Sequence, residues 1–179
     1  MTNQRIRLTK QLLSNALIDL LQRKKISKIT IQELSNEAGI NRSTFYLHYS
    51  DVYDLLDEIE DTLINDVKNY LNSKDSSTSY IEHLLNYIYE NKVIFKTLLG
   101  FCEESRFNNE FLQLSRNLLL NDIFGDRQLE HGEYIIEYLV RGNNALTLKW
   151  ISNDFDISVK DLTNIMTKLS QNTLYRNSL

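Results

Sequence analysis

Proline is absent from the 179-residue chain and glycine occurs only five times. Proline interrupts a helix by removing an amide and crowding the preceding turn, glycine through its conformational entropy. With so few breakers long helices meet little opposition, and an all-α fold is expected. Cysteine is nearly as scarce. Cys102 stands alone, which excludes an internal disulfide. The polar start Met-Thr-Asn-Gln-Arg does not begin the apolar stretch of an export signal, so a reducing cytoplasm is the expected location. No uninterrupted apolar run approaches the ~18 residues of a membrane span. Cys102, Glu103, Glu104, His83 and His131 supply metal-ligand types, but without His-x-x-x-His or Cys-x-x-Cys spacing, and neither metal nor cofactor is expected. Carboxylates are plentiful, yet no nucleophile–base spacing or phosphate-cradling glycine loop accompanies them, which argues against an enzyme.

What is present is divided by charge. The net charge of −4 looks wrong for a nucleic-acid partner. Residues 1–50, however, carry eight basic side chains against three acidic ones, and the remainder carries twelve against twenty-one. A basic head on an acidic body suits a chain that meets phosphate at one end, because the attraction is local and screened beyond ~10 Å. Arg23-Lys24-Lys25 can also serve simply as a favourable basic end to the first helix.

The most heavily punctuated stretch is Thr30 to Tyr49. Thr30 and Glu33 form a capping-box pair, and Leu34 and Ala38 fall on one side of the helix that follows. Gly39 stands where the backbone must reverse, which calls for positive φ. Ile40 returns the chain to the interior and Asn41 caps a second helix. Phe45 and Tyr49, four apart, pack inward and leave Arg42, Ser43, Thr44, Tyr46 and His48 outside. A polar, donor-rich outer face of this kind suits the major groove: Arg, Ser and Thr read base edges, while Tyr, His and helix-start groups hold phosphates.

The order TIQELSNEAGINRSTFYLHYSD, and above all Ser-Thr-Phe-Tyr-Leu-His-Tyr with the turn Gly39, resembles the TetR family of bacterial transcriptional regulators over roughly residues 5–60. The resemblance implies a three-helix helix-turn-helix domain over residues 1–50 and a helical regulatory and dimerisation domain over 51–179, with helix 4 at 51–71 as connector and about nine helices in all. It implies Arg42, Ser43 and Thr44 as base-facing residues, and Thr30, Asn41, Tyr46, His48 and Tyr49 as phosphate-holding or supporting residues, Tyr49 being the one closest to ordinary core. It also implies a small-molecule cavity in the second domain, whose occupation tilts helix 4 and changes the separation of two heads. The chain departs from the family at the start of helix 4: a lysine commonly touches phosphate there, whereas Ser50-Asp51-Val52-Tyr53-Asp54 offers acids and no base.

The remaining pattern predicts helix 1 over 5–24, with Arg5 and Arg7 as an arm before it, and Ser50 as the cap of helix 4. A polar linker over 72–78 comes next, then helices at about 78–90, 91–100 and 105–124, the last two ending on Gly100 and Gly125. Aromatics crowd this third, from Tyr80 to Phe111, and any single ring reads first as core. Residues 133–152 are apolar nearly all round and need cover on two sides. Gly142 in their midst suggests close approach of another helix. Ser158 and Asp161 box the start of a last helix over 159–174, where Val159, Leu162, Met166, Leu169 and Thr173 repeat at threes and fours.

Surplus apolar surface on these two helices predicts a homodimer. The expected function is therefore a homodimeric regulator, repression being the expected mode, that binds a pseudo-palindromic double-stranded DNA operator and answers to a small-molecule effector. The rival is a protein-interaction co-regulator of the same fold with little DNA affinity.

Overall fold

Helix α1 runs from Thr2 to Leu21 in the computed structural model, which describes residues 2–73, 79–101, 106–120 and 131–175. Arg5 and Arg7 therefore lie exposed within α1 and not in an arm before it, since nothing between Thr2 and Leu8 breaks a helix. The helix also stops earlier than its charge pattern suggests: Arg23 N and Lys24 N both turn back to Leu20 O, at 3.0 and 3.1 Å. Its row Leu13, Ala16, Leu17, Leu20 and Leu21 is buried, and a 3-10 turn at Ile26–Lys28 adds Ile26 and Ile29 to that core.

Helices α2 (Ile31–Ala38) and α3 (Arg42–Phe45) follow, then α4 (Val52–Asn72), a rod of roughly 30 Å at 1.5 Å per residue. The cap of α4 is Asp51 and not Ser50. Asp51 Oδ1 accepts from Tyr53 N and Asp54 N at 2.8 and 2.9 Å, while Ser50 spends its own N–H and hydroxyl on Asp54 Oδ2, both at 2.9 Å. A carboxylate on the positive end of a long helix outcompetes a hydroxyl for the role. Val52, Leu55, Leu56, Ile59, Leu63 and Val67 form the buried row of α4.

Ser79 caps α5 (Tyr80–Glu90) by accepting from Glu82 N. The helix expected over 91–100 is divided into α6 (Lys92–Lys96) and a π-turn at Thr97–Phe101. Thr97 Oγ1 donates to Val93 O at 2.9 Å, a local competition with the backbone ladder that propensity counts overlook. Helix α7 is Phe107–Leu119; Gly125, its expected end, lies outside the described residues. Helices α8 (Gly132–Ser152) and α9 (Val159–Tyr175) close the chain, and Ser158 with Asp161 boxes α9 as expected, Asp161 N donating to Ser158 Oγ at 3.1 Å.

All regular structure among the described residues is helical, as expected, and their nine α-helices match the expected number. α5 packs on α9 and α7 on α8, and α4 touches α1 on one side and α5 and α7 on the other. One hydrophobic core runs without a break from Leu13 through Phe45 and α4 to Trp150 and Met166. Phe95, Phe107 and Phe111 meet at ring separations of 5.7 to 5.9 Å inside it, so these aromatics are packing.

Two observations bear on the outer side of the last helices. A Cβ built on Gly142 would meet nothing within 4 Å among the described residues, which leaves that side of α8 open. Leu162 and Met166 are buried in the core, while Leu169 stands 53 % exposed beside Ile165 at 44 % on the outer side of α9.

The Asp51 cap sets the first turn of α4. Asp51→Ala is expected to lower stability by about 1 kcal/mol and Asp51→Asn, which caps as well, by much less. Urea unfolding monitored by circular dichroism checks this, and equal losses for both would exclude the cap as the cause.

Candidate nucleic-acid interface and regulatory body

The interface is built from the end of α1 outward. Thr30 Oγ1 accepts from Glu33 N at 3.2 Å, the first half of the capping box. Glu33 does not reach back to complete the box; its carboxylate takes Lys24 Nζ at 2.5 Å, and Arg23 pairs with Glu37 at 2.7 Å. Glu33 is held below the usual carboxylate range chiefly by that lysine. Four of the charges counted in the head are thus spent in lashing α2 to α1. Gly39 sits at φ 65°, where a Cβ would strain the backbone, and its N–H closes α2 onto Asn36 O at 3.2 Å.

Asn41 Oδ1 accepts from Ser43 N at 3.3 Å and starts α3, which is shorter than its pattern suggests. Only Arg42–Phe45 is α-helical, and the chain continues to Tyr49 in tighter turns, with His48 N donating to Phe45 O at 2.9 Å. The inward pair is as expected: Phe45 is fully buried and Tyr49 is 3 % exposed. Outside stand Asn41, Arg42, Ser43 and Tyr46, with Thr44 and His48 half-buried at the flanks. Tyr46 sets its ring edge against Phe45 at 5.7 Å, so the phenol is aimed from a fixed base. Leu47, which the pattern did not single out, is 79 % exposed on this segment. Its place two residues after Phe45, off the inward row, was the available signal.

Tyr49 is occupied. Its hydroxyl donates to Glu58 Oε1 at 3.0 Å, and burial, reinforced by this carboxylate, pushes the phenol well above its ordinary range. Lys10 Nζ takes the other oxygen of Glu58 at 2.6 Å and lies 5.3 Å from the centre of the Tyr49 ring. One carboxylate of α4 therefore ties α1 to the end of the recognition segment. Two further acids line the start of α4: Asp51 fills the first-turn amides, and Asp54 is held below its usual range by the Ser50 N–H and hydroxyl.

In the body, Arg106 just before α7 gathers carboxylates. It reaches Asp61 at 2.7 Å, Glu110 at 2.6 Å, Asp57 at 3.1 Å and the buried Glu60 at 3.3 Å. Three of these lie on α4, so the guanidinium staples the connector to the start of α7. Among the described residues no group of three His, Cys, Asp or Glu could hold a metal ion. Of the candidate ligands, His83 is stacked on Tyr70 at 4.2 Å, and Cys102, Glu103 and Glu104 lie outside the described residues.

Residues 75–172 match the TetR-type family described as transcriptional regulator C-terminal region. The chain belongs to the TetR family. Within that family it resembles the dhaKLM operon activator DhaS of Lactococcus lactis subsp. lactis (strain IL1403), with 28 % identity over 121 residues, 65 % of this chain and 62 % of that protein. It also resembles the uncharacterised regulator YxbF of Bacillus subtilis (strain 168), with 22 % identity over 89 % of this chain and 44 % of that one. The matches thus span less than two thirds of these curated relatives.

Among solved structures, a TetR regulator from Streptococcus agalactiae 2603V has a TM-score of 0.69 at 24 % identity, covering 94 % of this chain and 97 % of its own. NalD of Pseudomonas aeruginosa, the secondary repressor of the MexAB-OprM multidrug efflux pump, has 0.59 at 19 % identity, covering 89 % and 96 %. These similarities establish the fold. No helix among the described residues is long and apolar enough to cross a membrane.

The Tyr49–Glu58 bond is a testable joint. Tyr49→Phe and Glu58→Ala, alone and together, are expected to show a coupling of about 1 kcal/mol in urea unfolding. Strictly additive losses would mean that the bond contributes nothing.

Proposed function

We propose that this TetR-family chain is a homodimeric DNA-binding regulator in the cytoplasm whose residues 1–50 read an operator and whose residues 51–179 pair the subunits and receive a small effector. The observation that carries the reading is the outer face of 41–48. Its inward partners Phe45 and Tyr49 are locked, while Arg42, Ser43 and Tyr46 are left exposed with no structural task for their polar ends. In this reading Arg42, Ser43 and Thr44 face base edges, Tyr46, His48 and the hydroxyl of Thr30 hold phosphates, and Asn41 supports the segment as its cap. Leu47 joins them as an apolar contact suited to a thymine methyl. Tyr49 moves to a positioning role, because its hydroxyl is committed to Glu58.

A pair of such heads on a two-fold would meet successive major grooves ~34 Å or somewhat more apart, which implies a pseudo-palindromic operator. The surface favoured for pairing is the outer side of α8 and α9, where Tyr134, Tyr138, Ile165 and Leu169 are 80, 66, 44 and 53 % exposed, and where Gly142 offers room for a partner helix. Repression by occupying the operator is the simplest mode. The same docking serves activation, and the relatives include one named activator and one named repressor. The Arg106 staple gives an effector bound in the body a mechanical route to α4.

The acids at the start of α4 favour a second reading, a co-regulator that binds another protein and little DNA. Duplex-shift titrations across a salt series separate the two. Operator binding is expected to weaken steeply as salt rises, with Arg42→Ala and Tyr46→Ala each losing about 10- to 100-fold in affinity, or ~1–3 kcal/mol. Salt-independent binding, or wild-type affinity in both variants, would favour the co-regulator.

Self-association is tested separately. Sedimentation is expected to give a particle of twice the 21.1 kDa chain mass, and Leu169→Glu is expected to yield folded single subunits. A wild-type chain that sediments as a single subunit at micromolar concentration would overturn the pairing.

A further inference from the structure

Leu47 is 79 % exposed between two anchored neighbours, Phe45, which is fully buried, and Tyr49, which is 3 % exposed. Its backbone is fixed by the same turns that hold them. Leu47 N donates to Thr44 O at 3.3 Å, and the next two amides, His48 N and Tyr49 N, both return to Phe45 O, at 2.9 and 3.0 Å. The side chain is thus aimed by the inward pair while taking no share in the core. The other exposed side chains of 41–48, those of Asn41, Arg42, Ser43 and Tyr46, all end in a polar group. Leu47 alone offers only carbon.

Docking this face on a duplex strips water from it. The polar ends can then bond to base edges or phosphates, but an isobutyl group cannot. Pressed against a phosphate or a base-edge donor, it would take water from a polar group and return no hydrogen bond. The major groove presents one apolar group, the C5 methyl that thymine carries and cytosine lacks. 5-Methylcytosine carries the same methyl on the same ring carbon, so a contact built on that methyl alone treats the two bases alike.

We propose that Leu47 makes the recognition segment a reader of pyrimidine methyl groups: at one base pair in each half-site, affinity depends on a C5 methyl, whether from thymine or from 5-methylcytosine. This rests on the DNA-binding reading above and adds to it the chemistry of one base position. It also adds a means of regulation, since methylating a cytosine at that position would strengthen binding without any effector. Thr44, half-buried at the flank, carries the other methyl of the segment's outer side, and the test separates the two.

The full chain is first used to select duplexes from a random-sequence library. In the selected duplex each thymine is replaced in turn by deoxyuridine, which removes the methyl and leaves every hydrogen-bonding group in place. Wild-type affinity is expected to fall about fourfold at one thymine per half-site, the equivalent of one buried methyl at ~0.8 kcal/mol. Leu47→Ser is expected to be insensitive to that replacement, and Thr44→Ser to remain sensitive. With the same base pair changed to C·G, 5-methylation of the cytosine is expected to strengthen wild-type binding by a similar factor and to leave Leu47→Ser unchanged.

A selected duplex in which no thymine responds to deoxyuridine would overturn the methyl reading and leave DNA binding standing. So would a response that persists in Leu47→Ser, or a cytosine methyl that has no effect on the wild-type chain. The deoxyuridine scan needs no variant, so it decides even should Leu47→Ser not fold. Failure to enrich any duplex would overturn the DNA-binding reading itself, and the methyl contact with it.

Discussion

A helix of four residues cannot hold its own shape. Nucleating a helical turn costs more than one hydrogen bond returns, so α3 and the turns that follow it exist because the neighbouring core imposes them. Phe45 and Tyr49 supply the grip, and Glu58 completes it by accepting from Tyr49 on one oxygen and from Lys10 on the other. Both Lys10 and Glu58 are partly exposed, so their attraction alone contributes under about 1 kcal/mol. The value of the arrangement is geometric: it fixes α1, the recognition segment and α4 to one carboxylate. Everything proposed for the outer face of 41–48 depends on that face keeping one orientation relative to α4.

The same accounting changes how the head's positive charge is understood. Eight basic residues in the first fifty suggest a broad phosphate-binding field, yet Arg23 and Lys24 answer Glu37 and Glu33 and Lys10 answers Glu58. Arg42 remains on the outer face, with Arg5 and Arg7 exposed on α1. Asp51 and Asp54 lie at the other boundary of the recognition segment, both accepting hydrogen bonds from backbone amides. An approaching duplex would be drawn toward Arg42 and the α2 cap and held off from the start of α4. The acids therefore restrict where the backbone can lie, and they need not forbid binding.

The sequence was most legible where local chemistry decides. Thr30, Gly39, Asn41 and the Ser158–Asp161 pair act within a few residues of themselves, and their roles follow from hydroxyl, carbonyl or missing Cβ alone. The apolar faces of α8 were legible for the same reason, since burial at a spacing of three and four leaves a readable trace. Competition between neighbours was not. Ser50 and Asp51 are both good caps, and geometry chose the acid; Thr97 turned its hydroxyl onto Val93 and divided a helix. Contacts distant in sequence left no trace at all. Nothing near Arg106 announces Asp57, Glu60 and Asp61 some forty-five residues earlier.

These distant contacts bear directly on regulation. Arg106 binds α4 to the start of α7, and α7 carries Phe111 and Ser115 toward the other helices of the body. The other described residues around a small space beside them belong to α5, α8 and α9, and none of them to α4. Packed interiors move as blocks, because each side chain occupies space that its neighbours cannot give up. In the proposed reading an effector held in the body would act by favouring one arrangement of these packed helices over another, and the heads, joined to α4 through Glu58, would carry that difference to the DNA. Even a 100-fold change in operator affinity asks for only ~2.7 kcal/mol of preference between the two arrangements.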